Sequence, residues 1–257
     1  MVARLAVFDI DDTLLASNKT FLKSTLTSIK QLKQRQINVA IATGRNLAMA
    51  KAVINRLDLQ DFVLCNGSAA FANHQQIHGH TLSRANVQEL VTAADRNHMD
   101  IVFESLDGLH AHTHPTPITQ RVLQTFRAPE LHYDPDYYLT HDIYQAMMFY
   151  PNELDHRLPH ADEFSFVRFH RYGVDIIPRV GSKAQGVAKL AASLKVAPEN
   201  VVAFGDNQND REMLKSAGIG IAMGNAAPEI KAQADMTTTD CDHDGIAHGL
   251  KEIGWIN

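Results

Sequence analysis

Short apolar runs alternate with amphipathic stretches at both ends of this chain, and the rhythm changes in the middle. Leu5-Ala6-Val7-Phe8 reads as a buried strand that stops abruptly at Asp9. Leu22, Leu26, Ile29 and Leu32 recur at helical spacing, predicting an amphipathic helix over residues 20–36. Val39-Ala40-Ile41-Ala42 is a second strand, followed by a helix over 46–57 and a third strand at Phe62-Val63-Leu64. The βαβαβ alternation predicts a parallel sheet covered by helices. It resumes after Lys183 with a helix over 184–194, a strand over 201–204 and a helix over 210–217. A strand over 219–223, a helix over 228–234 and a last strand near Met236 complete it.

Between these halves the pattern is different. Residues 83–97 read as a helix, and 100–105 with 109–113 as a hairpin around Asp107-Gly108. A helix over 115–126, a strand over 144–150 and a short helix over 152–160 follow. Residues 164–170 and 174–177 form a second hairpin around Tyr172-Gly173. The sum is an α+β unit inserted into the α/β fold, with Pro129 and Pro135 marking an irregular loop inside it. The expected organisation is a core of residues 1–81 and 181–257 interrupted by an insert at 82–180. Met147-Met148-Phe149-Tyr150 fits a buried strand of that insert.

Polar constellations stand where the core strands end. Asp9-Ile10-Asp11-Asp12-Thr13 follows the first strand, and Thr43-Gly44-Arg45 follows the second. Gly205-Asp206-Asn207-Gln208-Asn209-Asp210 follows 201–204, and Gly181-Ser182-Lys183 opens a helix. Side-by-side carboxylates are costly unless a cation binds or one partner takes up a proton. A strand-to-helix turn with a capping Asp or Thr explains any one of these groups alone. In an open parallel sheet, however, ligands bind beyond the carboxyl ends of the strands, so all four groups point to one crevice.

The ordered set resembles the haloacid dehalogenase-like hydrolase superfamily, within it the Cof-type phosphatases with a type IIB cap. Asp9 to Thr13, Thr43, Lys183 and Gly205 to Asp210 match its four motifs. Cys65-Asn66-Gly67, the run from Gly218 to Ala226 and Asp244-Gly245-Ile246-Ala247 match the branch. Two departures are Asp12, where Gly is frequent, and Ala184-Gln185-Gly186, where Lys-Gly is commoner. The resemblance implies a Rossmann-like parallel-sheet core with helices on both faces and makes the insert a cap that sets specificity.

A phosphate ester repels anionic nucleophiles, so an enzyme must neutralise charge and align the reactants. On this resemblance Asp9 is the expected nucleophile, forming an aspartyl-phosphate, and Asp11 the acid and base. An all-oxygen cluster of Asp9, Asp206 and a backbone carbonyl suits Mg²⁺. The resemblance assigns that carbonyl to Asp11 and puts Asp210 behind the metal ligands. Thr43, Gly44, Lys183 and Asn209 are the expected phosphate-binding residues. Arg45 reads as a solvated helix-start arginine and stays outside the catalytic set, and Asn66-Gly67 as a turn bordering the site. His110, His112 and His114 alternate, which fits a solvated cap face better than a metal centre.

The chain has 257 residues and a formal net charge of −5, against a nucleic-acid or anionic-membrane partner. No apolar run approaches a membrane span. The N-terminus lacks a secretion signal, and two cysteines at unrelated spacing fit a reducing compartment, with the cytoplasm expected. The expected ligand is a small phosphorylated metabolite: a sugar phosphate, nucleotide or phosphorylated cofactor. A phosphomutase using the same phospho-aspartate and a non-catalytic phosphometabolite-binding regulator are the alternatives.

Overall fold

The computed structural model describes residues 2–125, 128–159 and 162–257. Phe126 and His160, the ends of two predicted helices, lie outside the described residues. The chain forms two compact units. One comprises the residues up to Arg45, Lys51–Gly79 and Ser182–Asn257. The other comprises Asn46–Ala50 and His80–Gly181.

The first unit is built on an eight-stranded sheet. Across it run Met236–Thr237, Ile219–Ala222, Val201–Gly205, Leu5–Phe8, Asn38–Ala42, Asp61–Leu64, Ala69–Ala72 and Gln75–Gly79. The first six pair in parallel and the last two close an antiparallel hairpin. Leu5–Phe8 is central, bonded to Val201–Phe204 on one side and Asn38–Ile41 on the other. All four of its residues are wholly buried, as a strand covered on both faces requires. Leu5 and Val7 share a core cluster with Val187 and Leu190 of the helix Lys183–Ser193 and Met213 of Arg211–Ser216. On the opposite face Phe8 stacks on Phe204, centroids 5.0 Å apart. The helix Gly245–Glu252 approaches so closely there that a Cβ on Gly249 would lie 2.8 Å from the Phe204 ring.

Three elements of this unit were not predicted: the hairpin strands Ala69–Ala72 and Gln75–Gly79 and the helix Gly245–Glu252. The hairpin strand Ala69–Ala72 is alanine-rich and lacks the β-branched residues that announce a strand. The helix Gly245–Glu252 begins on glycine and carries a second at 249, which lowers its helical propensity. The predicted helix over 20–36 is shorter, Lys23–Gln34. Its intended start is drawn into a turn in which Asn18 Oδ1 accepts from the Thr20 amide and hydroxyl.

The second unit holds a six-stranded sheet in the order Phe164–His170, Gly173–Pro178, Gln145–Phe149, Asp100–Glu104, Leu109–Ala111 and Leu131–Tyr133. All neighbours are antiparallel except the last pair. The helix Arg84–Asn97, capped by Ser83 Oγ, packs Val87, Leu90 and Val91 in one cluster with Ile101, Phe103 and Met148. Val122 and Leu123 of Pro117–Thr125 join Val102, Met147 and Phe149 in another. The strand Leu131–Tyr133 was not predicted, and the segment after Pro151 is the 3₁₀ turn Asn152–Arg157.

The histidine row is not a solvated face. His110 is buried and stacks on Tyr137 at 3.5 Å, and Tyr137 stacks in turn on His141 at 4.0 Å. His112 Nδ1 lies 2.8 Å from the Pro135 carbonyl, leaving His114 as the exposed member. Aromatic stacking, which alternation along a strand does not encode, brings His110 inside.

Candidate active site

The first unit gathers the predicted residues at the carboxyl ends of its central strands. Asp9 directly follows Leu5–Phe8, and its amide donates to Phe204 O at 3.0 Å. The chain then makes one wide turn, with Leu14 N donating to Asp9 O and Leu15 N to Ile10 O. Inside that turn Asp11 is extended and Asp12 left-handed at φ 57°.

Lys183 organises the acids. It is 2% exposed, and its Nζ donates to Asp9 Oδ1 at 2.6 Å and Asp210 Oδ1 at 2.7 Å. Asp210 Oδ2 accepts from the amides of Asp206 and Asn207, both at 3.0 Å, so this fully buried carboxylate is satisfied at both oxygens. Asp206 receives the Thr13 hydroxyl at 2.8 Å and Asn225 Nδ2 at 3.2 Å. One side-chain oxygen each from Asp9, Asp206 and Asp210 lie within 4.8 Å of one another.

Electrostatics follow from this crowding. Burial pushes the Asp9 carboxyl up to about 8, with Asp210 and Asp206 adding to the effect and Lys183 opposing it. Burial also drives Asp206 up to about 7. Burial alone depresses the Lys183 ammonium, but Asp210 and Asp9 outweigh it and hold the ammonium firmly charged. One fixed cation therefore faces three carboxylates. The surplus of hard oxygen donors fits a divalent cation such as Mg²⁺, with Asp9 and Asp206 as the carboxylates open to it and Asp210 occupied in support.

The second strand delivers the other group. Thr43 is 1% exposed; its amide donates to Val63 O at 3.0 Å and its hydroxyl oxygen accepts the Arg45 amide at 3.1 Å. The Thr43 O–H itself is left to donate, whereas its N–H belongs to the sheet. Asn66 stands against Gly44, where an added Cβ would lie 3.1 Å from Asn66 Oδ1. That oxygen accepts from Asn209 Nδ2 at 3.0 Å, linking Asn209 to the Thr43–Gly44 loop.

Arg45 is the residue that sequence reasoning set aside. Its Nε and Nη2 grip both oxygens of Asp11 at 2.9 and 2.7 Å, and Lys19 adds a contact at 3.5 Å. Burial raises the Asp11 carboxyl, but Arg45 and Lys19 outweigh it and hold it below the ordinary range. Asn225 was likewise missed: it ties Asp206 to the Asp12 carbonyl and accepts the Cys241 amide. Its signal was its place in the run from Gly218 to Ala226.

Residues 6–250 match a family profile described as haloacid dehalogenase-like hydrolase. A Bacillus subtilis protein named 5-amino-6-(5-phospho-D-ribitylamino)uracil phosphatase YitU is 30% identical over 266 residues, covering 96% of each chain. The Escherichia coli pyridoxal phosphate phosphatase YbhA is 27% identical, over 96% of this chain and 97% of its own. A crystal structure of a hypothetical protein from Geobacillus kaustophilus HTA426 superposes with a TM-score of 0.95 at 36% identity, over 99% of this chain and 100% of that one.

Proposed function

Since the chain belongs to the haloacid dehalogenase-like hydrolases and its relatives are named phosphatases, we propose that it is a Mg²⁺-dependent phosphatase of small phosphorylated metabolites, working through an aspartyl-phosphate. The observation that carries this reading is Lys183 bridging Asp9 and Asp210 beside Asp206. Asp9 attacks phosphorus as the ester P–O bond breaks, and Asp11, which Arg45 and Lys19 hold ionised until it takes up a proton from the incoming phosphomonoester monoanion, gives that proton to the departing alkoxide. Asp11 then takes a proton from the water that cleaves the aspartyl-phosphate, releasing inorganic phosphate. Lys183 offsets phosphoryl charge and keeps Asp9 in position, while Thr43, Gly44 and Asn209 hold the phosphate oxygens. Mg²⁺, held by Asp9, Asp206 and the Asp11 carbonyl, would lower the charge barrier to anionic attack.

Residues 1–81 and 181–257 carry this chemistry in our reading, and 82–180 select among leaving groups. The candidate substrates are sugar phosphates, nucleotides and phosphorylated cofactors; a phosphorylated ribityl compound and pyridoxal phosphate in the relatives' names support that range. No helix among the described residues is long and apolar enough to cross a membrane, and we assign the enzyme to the cytoplasm. A phosphate-release screen over the three classes, with Mg²⁺ and with EDTA, tests the reading. We expect release that EDTA abolishes and Mg²⁺ restores, and that Asp206→Ala loses. Isomer formation without phosphate release would identify a phosphomutase instead, and full activity in metal-free protein would reject the metal assignment.

A further inference from the structure

Asn225 ties three segments of the first unit together through one side chain, and the reaction above leaves it without a role. Its Nδ2 donates to Asp206 Oδ2 at 3.2 Å and to the Asp12 carbonyl at 2.9 Å, and its Oδ1 accepts the Cys241 amide at 3.1 Å. Turning the amide over would set its oxygen against two acceptors and its nitrogen against a donor, so these partners fix its orientation. The loop that carries it is pinned as well. Met223 N donates to Gly205 O at 3.0 Å, Gly224 N to Thr239 O at 3.1 Å and Lys231 Nζ to Gly224 O at 2.7 Å. A Cβ on Gly224 would lie 2.6 Å from the Asp240 amide nitrogen, which leaves the loop little room to shift. The remaining oxygen of Asp206, Oδ1, accepts the Thr13 hydroxyl at 2.8 Å. Asp206 is thus held at both oxygens, each with capacity for one further bond.

We propose that Asn225 is a positioning residue for metal selectivity: it holds Asp206 to coordination through a single oxygen and so favours Mg²⁺ over Ca²⁺. The inference rests on the phosphatase reading, in which Asp9, Asp206 and the Asp11 carbonyl hold Mg²⁺. Mg²⁺ demands near-ideal octahedral ligands at about 2.0–2.1 Å, whereas Ca²⁺ takes roughly six to eight oxygens in looser geometry and often both oxygens of one carboxylate. A carboxylate gripped at both ends cannot swing to seat an ion on both oxygens without giving up a charge-assisted bond. The bond to the Asp12 carbonyl works in the same direction. It pins the turn that presents the Asp11 carbonyl, so one side chain sets the spacing between ligands from two different strand ends. A small ion with strict geometry gains from that fixed spacing, and a larger, tolerant one does not.

The test reads binding without turnover. Mn²⁺ bound to the full chain in the absence of substrate is followed by electron paramagnetic resonance and displaced with Mg²⁺ or with Ca²⁺. Mn²⁺ that stays bound in Asp206→Ala lies elsewhere and is subtracted. Asn225→Ala should lower Mg²⁺ affinity about 10- to 100-fold while Ca²⁺ loses little, so the ratio of the Ca²⁺ to the Mg²⁺ dissociation constant falls about 10-fold or more. Asn225→Asp keeps an acceptor for the Cys241 amide but exchanges both donors for a further carboxylate. It should move the ratio further toward Ca²⁺, whose affinity rises with ligand charge. Asn225 is exposed, so neither substitution opens a cavity in the core, and circular dichroism checks the fold of each. Because both ions are compared on one protein, a loss of folded material cancels. A tie that is merely structural weakens both ions alike or neither, so an unchanged ratio in either folded variant overturns the proposal while the Mg²⁺ site stands. Wild-type protein that binds neither ion at Asp206 is instead a failure of the metal assignment, and the proposal falls with it.

Discussion

A single arginine separates the residues that sequence patterning exposes from those it hides. Asp9, Asp206 and Lys183 were legible because each stands where an apolar run breaks off or a helix opens, and an isolated acid or lysine there lacks a structural reason. Arg45 was not legible. A charged residue at a helix start is ordinarily solvated, and its partner Asp11 lies 34 residues away. The two-point grip fixes the Asp11 carboxyl in one plane, which a point charge cannot do. Arg45→Ala should therefore lower kcat on p-nitrophenyl phosphate by about 10- to 100-fold, and Arg45→Lys should recover little of the loss. An alanine variant with unchanged kcat would show the grip to be incidental. Asp9→Asn makes the sharper prediction at this scale. Turnover should collapse while circular dichroism stays native, and near-normal turnover, with deamidation excluded, would remove Asp9 as nucleophile.

Turns, more than strands, decide how the reacting groups meet. Gly67 sits at φ 97°, a left-handed value that a side chain rarely adopts, and a Cβ there would lie 2.0 Å from the Ser182 carbonyl oxygen. Ser182 caps the helix Lys183–Ser193, with its Oγ accepting from Gln185 N. The turn at 65–67 thus sets how closely the start of that helix, and Lys183 with it, can approach the sheet. Gly67→Ala should cost about 3 kcal/mol from strain and overlap together. For a chain of this size that corresponds to a fall in Tm of roughly 6–12 °C, measurable by thermal denaturation, and a fall below about 2 °C would contradict the packing argument. Asp12 offers the milder case. It occupies a left-handed position where the family often has Gly, and Asp tolerates that conformation better than most residues. Strand and helix types followed from periodicity. The Ala69–Ala72 strand and the Gly245–Glu252 helix did not, because small residues chosen for close packing carry no periodic signal.

Across the whole molecule, the parallel sheet and the inserted α+β segment were legible because hydrophobic period and chain order agree. The assignment of Asn46–Ala50 to the second unit was not, since nothing in composition separates them from the helix they begin. Stability should also carry a signature of the buried acids. Glu104 rises from 4.5 to about 8 on folding, so the native state binds a proton that the unfolded chain releases. Its contribution is complete below about pH 4.5 and is lost as pH rises toward 8. Urea midpoints should decline across that window, and Glu104→Gln should flatten the decline; an equally steep slope in the variant would rule Glu104 out as its source. The order of strands has a consequence for biosynthesis as well. Leu5–Phe8 finds one neighbour in Asn38–Ile41 soon after it is made, but the other only when Val201–Phe204 emerges. Thr13 and Asp206, bonded in the native protein, are 193 residues apart. Pairings of such separation form slowly and leave edges bare meanwhile. The nascent chain therefore carries Asp9 at the tip of an apolar, half-paired strand until Val201–Phe204 is made. Until those residues have left the ribosome, Asp9 and Thr13 stand without Lys183 and Asp206, and one edge of the strand is open to other chains.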